Sequence, residues 1–322
     1  MQQIILIVSA IALGLLFGNL TGGLTFSSAV CLVAGIFLVT PSLFKFHLAD
    51  FAILKNNMPS VYKNLWINYL LITAIALLIG YASQDIGIAA AIFLLALLPG
   101  GGMVMMWIKQ SGANVKLGFI IFMLNLALLL PITIIFGLFD NLASGFFPTP
   151  DLTIPEHMQG GGKKIMPFAP FMILVVIPFL LSRIILKFFP KLVAFTGKHQ
   201  PLISKATMFG IVLYLFSLST AQLLFQVELM DLFKAIVATA VFYSVVFFIA
   251  EKLTDKTPNG KAVYWHIATR YITLALILAV FSVEQYGATF ILPIMIAYFI
   301  QIGFAGFLSK RQIAAMDKAK TT

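Results

Sequence analysis

Ten runs of about twenty mostly apolar residues, separated by short polar gaps, make up most of this 322-residue chain. A run of that length is what an α-helix needs to cross the roughly 30 Å hydrocarbon layer of a bilayer. Inside that layer backbone N–H and C=O groups must be satisfied within the segment, which confines it to helix. The pattern predicts spans at 3–20, 26–44, 65–82, 86–108, 117–138, 168–186, 206–226, 232–250, 263–283 and 287–308. Composition agrees, with 61% hydrophobic and 10% charged residues, against about 25% charged in soluble domains. The first run starts at Ile4 with no basic stretch before it and no small-residue cleavage site after it. It therefore reads as a retained helix and not a signal peptide. The single cysteine, Cys31, excludes an internal disulfide and a multi-cysteine metal site.

Charge tests the count. With the N-terminus inside, 17 of the 21 basic residues fall on the cytoplasmic side. They are Lys45, Lys55 and Lys63, then Lys109 and Lys116, then Arg183, Lys187, Lys191, Lys198 and Lys205, then Lys252, Lys256 and Lys261, and finally Lys310, Arg311, Lys318 and Lys320 in the tail. The outer gaps hold Lys163, Lys164 and Lys234. A missed or invented helix would scramble this alternation, so the positive-inside rule supports ten spans with both termini cytoplasmic. The net charge of +10 follows from this placement and implies no nucleic-acid partner; the bilayer is the expected surroundings. The compact plan suggests a bacterial inner (plasma) membrane.

The longest outer connection, 139–167, holds Pro148, Pro150, Pro155, Pro167 and Gly160-Gly161-Gly162, a turn-rich linker at mid-chain. It divides the chain into a five-helix unit at 1–138, a second at 168–308 and a basic tail at 309–322. An odd number of helices per unit turns the second copy upside down, the geometry of inverted-repeat transporters. An unrepeated ten-helix bundle is the alternative.

The one basic residue left over is Arg270, in the interior of the ninth predicted span. Burying such a charge costs roughly 2.5–3.5 kcal/mol on the mildest insertion scales. It stands in a dense polar and aromatic stretch, Trp265, His266, Thr269, Arg270, Tyr271 and Thr273. Continuous helix would bring His266, Thr269 or Arg270, and Thr273 near one face. The corresponding fourth span holds Pro99-Gly100-Gly101-Gly102, four helix breakers in a row. Breaks at membrane depth are tolerated where the freed backbone is buried in protein or lines a cavity. The candidate solute site is therefore Arg270, the backbone of Gly100, Gly101 and Gly102, the hydrogen-bonding Thr269, Tyr271, Thr273 and Asn125, and Met103 and Met105 as apolar lining. Snorkelling of Arg270 to the cytoplasmic surface is the other reading, with His266 and Trp107 near that surface. Asn68, Gln222 and Gln301 read as interhelical hydrogen bonds. No His/Cys/Asp/Glu cluster suggests a metal.

Several segments carry a resemblance to one superfamily. They are Thr40-Pro41-Ser42-Leu43-Phe44-Lys45, Pro99-Gly100-Gly101, Met103-Val104-Met105-Met106-Trp107 with Gly112, Asn125, and Leu274-Ala275 with Ala279-Val280-Phe281. Over nearly its whole length the chain resembles the bile acid:sodium symporters and arsenite efflux permeases. The resemblance implies ten helices in two inverted repeats, with broken fourth and ninth helices crossing near the site. The arsenite branch places its metalloid-binding cysteine where Gly100 stands, and its Asn-Asn-Phe-Glu where Arg270-Tyr271-Ile272-Thr273 stand. The bile-acid branch holds sodium at positions that here are roughly Val104, Met105, His266 and Arg270. A guanidinium there would repel a mobile cation, so neither metalloid binding nor the usual sodium ligands carry over.

The resulting expectation is an all-α integral membrane secondary transporter moving a small anionic organic solute by alternating access, and not an enzyme. No cofactor is implied. Arg270 either meets the solute or replaces sodium as a fixed cation. Coupling to sodium through another site or to protons is open, with His266 as the titratable candidate. The alternatives are a metalloid efflux permease with an altered site and a non-transporting membrane sensor.

Overall fold

In a computed structural model, residues 2–21, 52–101, 104–143, 145–147 and 168–304 are described, with isolated positions between 33 and 44 and at 307. Where they are described, the apolar runs fold as helices, and the one extended pairing among the described residues is a bridge between Pro99 and Arg270. In chain order the helices are α1 (Gln2–Thr21), α2 (Ala52–Trp66), a π-helical turn (Ile67–Ile72), α3 (Thr73–Ser83), α4 (Ile86–Leu97), α5 (Val104–Gln110), α6 (Val115–Ala127) and α7 (Leu129–Ala143). There follow α8 (Phe168–Phe188), α9 (Pro190–Gln226), α10 (Leu229–Leu253), α11 (Pro258–Ala268), α12 (Ile272–Tyr286), a 3₁₀ turn (Ala288–Phe290) and α13 (Ile291–Phe304).

Local chemistry sets the starts. Asp85 accepts from the Ile88 N–H (2.8 Å), Asn114 from Leu117 (3.1 Å) and Thr257 from Gly260 (3.1 Å). Each side chain satisfies one of the donors a helix N-terminus leaves open. Pro258 and Pro190 sit in the first turns of α11 and α9, where a missing N–H costs nothing.

At the centre lies α4, buried at every position from Gly87 to Leu97. A helix apolar all round is stable only when surrounded. It is surrounded by α3, α7, α10, α12, the π turn and the 3₁₀ turn. Around this centre, α1 packs along α9, and α11 touches α2, α5, α6 and α10. The periphery exposes large apolar side chains, among them Leu16 and Leu20 of α1 and Phe233, Val241 and Phe248 of α10. Ala52–Ser83 and Leu229–Leu253 are long and apolar enough to cross a membrane; Ile5–Thr21, Ile86–Leu97, Val115–Ala127 and Ile291–Phe304 are shorter apolar helices.

Several predicted boundaries change. The fourth and ninth spans are each two helices, α4 with α5 and α11 with α12. The fifth divides at Leu128, just ahead of Pro131, which cannot donate to the preceding turn. Its second part runs to Ala143, into the stretch read as linker. The third begins at Ala52, bends at Asn57 next to Pro59 and passes through the π turn. The seventh begins at Pro190, sixteen residues before the apolar run (206 − 190). Hydropathy marks where a chain leaves an apolar layer, while helix continues wherever nothing breaks its hydrogen bonds. Gly102, Met103, most of the second predicted span, most of the linker and the basic tail lie outside the described residues.

The α3–α4 contact depends on Gly80, where an added Cβ would lie 2.9 Å from both Cα and Cβ of Ala89. Gly80→Val is expected to destabilise by about 1–3 kcal/mol, the usual cost of overpacking. Gly137, with nothing near its Cβ position, supplies the control. Equal unfolding temperatures for Gly80→Val and Gly137→Val would refute the packing.

Candidate functional site

Two interrupted helices meet at their interruptions. α4 stops at Leu97 and α5 starts at Val104; α11 stops at Ala268 and α12 starts at Ile272. The two gaps run antiparallel, with the Gly100 N–H donating to Thr269 O and the Tyr271 N–H to Leu98 O, both 2.8 Å. Backbone groups lost by each helix are thereby satisfied by the other, which answers the cost of burying unpaired amides. The turn that makes this possible needs glycine. Gly100 has φ +77°, and Gly101 has φ +142°. A Cβ on Gly100 would also stand 2.7 Å from His266 Nδ1.

Arg270, at the centre of this pairing, is 1% exposed. Its backbone is clasped by Gln301, which accepts from the Arg270 N–H (2.6 Å) and donates to its carbonyl (3.1 Å). Its guanidinium donates to Asn68 Oδ1 (3.0 Å), to Ala96 O (3.2 Å) and to Ile267 O (2.8 Å). The Phe242 ring centroid lies 6.0 Å from Cζ. Two of these acceptors are carbonyls in the last turns of α4 and α11. Each helix C-terminus carries about half an elementary negative charge on such unsatisfied carbonyls. Two converging ends therefore nearly balance one guanidinium without a carboxylate. Nε has no partner among the described residues.

A chain of amides leads away from this charge. Asn68 donates to Asn64 Oδ1 (3.0 Å), Asn64 to Asn125 Oδ1 (3.4 Å), and Asn125 faces both Pro99 O and His266 Nδ1 at 3.5 Å. Tyr69 also donates to Asn125, at 3.3 Å. His266 Nε2 lies 2.8 Å from Gly118 O, an acceptor. That bond puts the proton on Nε2 and leaves Nδ1 to accept from Asn125. On the Asn125 side of the crossing, Leu98, Pro99, Phe122, Asn125, Leu126, Leu129 and Tyr271 line a cavity of about 10 Å³. That is room for about one water.

No known family model matches this chain, and no curated protein matches it. The site stands on its geometry alone.

The candidate residues divide among separate surroundings because the helix is interrupted. His266 faces Gly118 and Asn125, Arg270 faces Asn68 and Ala96, and Thr273 meets the Tyr298 hydroxyl at 3.0 Å. Thr269 is spent on its own helix, donating to Trp265 O at 2.5 Å. The shared face expected of a continuous helix is absent. Tyr271 lines the cavity near Phe122 and packs over Gly101. Met105 is half-buried against the apolar core. Arg270 does not snorkel, and its guanidinium points neither at the Gly100–Gly101 backbone nor at a surface. His266 is wholly buried in protein, because α11 starts five residues before the apolar run (263 − 258) and the 111–114 turn covers its end. Trp107 is likewise buried, stacked on Trp265 at 5.7 Å, whose Nε1 donates to Ser111 at 2.9 Å. Asn64, Asn68, Tyr69 and Gln301, with Tyr243 donating to Gln301 Oε1 at 3.2 Å, are not among the candidate site residues read from the sequence. Asn64 and Asn68, four apart on one helix, are the sequence signal that could have revealed them.

Both ends of the paired helices are fastened. At one, Asn114 donates to Asn259 (2.8 Å) and Asn259 to Asn57 (2.7 Å), while the Asn114 N–H reaches Pro258 O (2.8 Å). At the other, Thr289 donates to the capping carboxylate of Asp85 (2.9 Å).

Gly100→Ala is expected to lower stability by about 1–3 kcal/mol through the left-handed backbone and the His266 contact. Adding His266→Ala should recover part of the loss by removing the contact. An unchanged unfolding temperature in Gly100→Ala would contradict the turn.

Proposed function

We propose that this chain is a secondary transporter of a small anionic organic solute, built as ten spans in two inverted five-helix repeats in a bacterial inner membrane, with both termini cytoplasmic. The element plan supports the repeat. A side-chain cap (Asp85, Thr257), a half-helix (α4, α11), a break and a second half-helix (α5, α12) recur, with the break centres Pro99 and Arg270 171 positions apart (270 − 99). Discontinuous helices meeting mid-fold are the recurring binding architecture of such transporters.

The observation that carries the reading is the guanidinium of Arg270 on the carbonyl ends of α4 and α11. Paired C-terminal ends attract a cation, and here the cation is covalently attached. Arg270 then acts as a fixed substitute for a bound sodium ion. It holds the two half-helices together and offsets the negative charge of their carbonyl ends, which would otherwise repel an anionic solute. The solute would lie on the Asn125–Tyr271 side of the crossing, against the Gly100–Gly101 backbone. The cavity there takes about one water, so admission of a solute requires one fastened end to release.

Proteoliposome flux over a panel of small carboxylates tests this. Wild type is expected to carry at least one of them without a sodium requirement. Arg270→Ala should lose most of that flux, on the order of 100-fold for an unpaired carbonyl pair and a lost charge-assisted contact of about 3 kcal/mol. Millimolar guanidinium should restore part of it. Full flux and affinity in Arg270→Ala would sink the assignment. Solute-dependent thermal stabilisation without flux in wild type would point to a sensor.

A further inference from the structure

Helix α9 is longer than a bilayer requires. Its 37 residues extend about 55 Å at 1.5 Å per residue, against a hydrocarbon layer of roughly 30 Å. The apolar part, 206–226, already suffices, so 190–205 makes about 24 Å of additional helix.

That extension is not a water-facing rod. Lys191, Phe195, Lys198, Leu202 and Lys205 follow at steps of four, three, four and three residues. At about 100° per residue they fall within about 40° of a single line along the helix. Lys191 and Lys198 are exposed and Lys205 half-buried. Between them, Phe195 is 58% and Leu202 67% exposed. The preceding turn adds exposed Phe188 and Phe189, with Lys187 Nζ 5.4 Å from the Phe188 ring centroid. No acidic residue occurs between Glu156 and Glu228. A polar-only face would suit water, and an apolar-only face would suit acyl chains. Alternating lysine and large apolar side chains on one line suit the boundary, where lysine stems lie along apolar matter and their ammonium groups reach phosphate.

We propose that the 190–205 stripe of α9 is a binding surface for anionic phospholipid headgroups, with Lys191, Lys198 and Lys205 on the phosphates and Phe195 and Leu202 in the upper acyl region. Juxtamembrane basic clusters draw anionic lipid in this way. The inference rests on the membrane placement proposed above and not on the transported solute.

The full chain is reconstituted in nanodiscs of phosphatidylcholine alone and of phosphatidylcholine with phosphatidylglycerol. In low salt, phosphatidylglycerol is expected to raise the wild-type unfolding temperature by several degrees, and high salt should abolish the rise. In the triple variant Lys191→Gln, Lys198→Gln, Lys205→Gln, the rise should fall by half or more. Soluble glycerol phosphate should give no rise, separating a lipid surface from a free phosphate site. Phe195→Trp supplies a readout that does not depend on the triple variant folding. The emission it adds over the wild type, whose own tryptophans are Trp66, Trp107 and Trp265, should be quenched by brominated lipid and spared by iodide. An undiminished rise in the triple variant, or quenching of Phe195→Trp by iodide alone, would overturn the proposal. Failure of the wild type to enter nanodiscs would instead overturn the membrane placement and remove this surface with it.

Discussion

Two backbone hydrogen bonds, Gly100 N–H to Thr269 O and Tyr271 N–H to Leu98 O, hold the centre of this protein together. Each interrupted helix alone would leave amides and carbonyls unpaired in an apolar interior, at a cost of a few kcal/mol per group. Facing one another, the gaps supply each other's missing partners. Neither interruption is tolerable without the other, so segments far apart in sequence fold as one unit. The glycines follow from this, since only a left-handed turn at Gly100 presents its N–H to Thr269 while leaving room for His266.

The same arrangement organises the charge. Interrupting a helix creates new ends, and at this crossing two carbonyl ends converge. A buried arginine without a carboxylate would ordinarily be severely destabilising. Here the backbone supplies most of the compensation, with Asn68 and the Phe242 ring completing the surroundings. Gln301 bonds both the N–H and the C=O of Arg270, so the residue that carries the charge is also fixed in its backbone. Asn68, Asn64, Asn125 and His266 extend these contacts across the crossing, linking the charge to the cavity beside Tyr271.

Much of this was legible in the sequence, and the parts that were not have physical causes. Apolar periodicity and the Pro99–Gly102 breakers marked the helices and one interruption. The second interruption has no breaker within Thr269-Arg270-Tyr271, because it is imposed by the partner strand's hydrogen bonds and not by local propensity. Arg270 stood out as a misplaced charge, yet its direction depended on where α4 and α11 end, which is tertiary information. His266 and Trp107 looked superficial because depth was counted along an apolar run; their burial comes from the 111–114 and 257–260 turns folding over the helix ends. Asn64 and Gln301 looked ordinary because an amide's importance lies in what it meets.

The π turn at Ile67–Ile72 has an effect on phase. Its wider turn holds an additional residue relative to α-helix, and the side chains of Asn68 and Thr73 take up the carbonyls of Asn64 and Asn68 there. One extra residue is worth about 100° of rotation, so α2 and α3 present different azimuths to the same neighbours. Before the turn, Asn64 looks toward Asn125; beyond it, Gly80 looks toward Ala89. Removing a residue from this turn, or moving the bulge along the helix, would swing one azimuth against the other and uncouple the amide chain from the α3–α4 contact. The helix thus carries a built-in phase adjuster, set so that one rod serves two differently aimed neighbours.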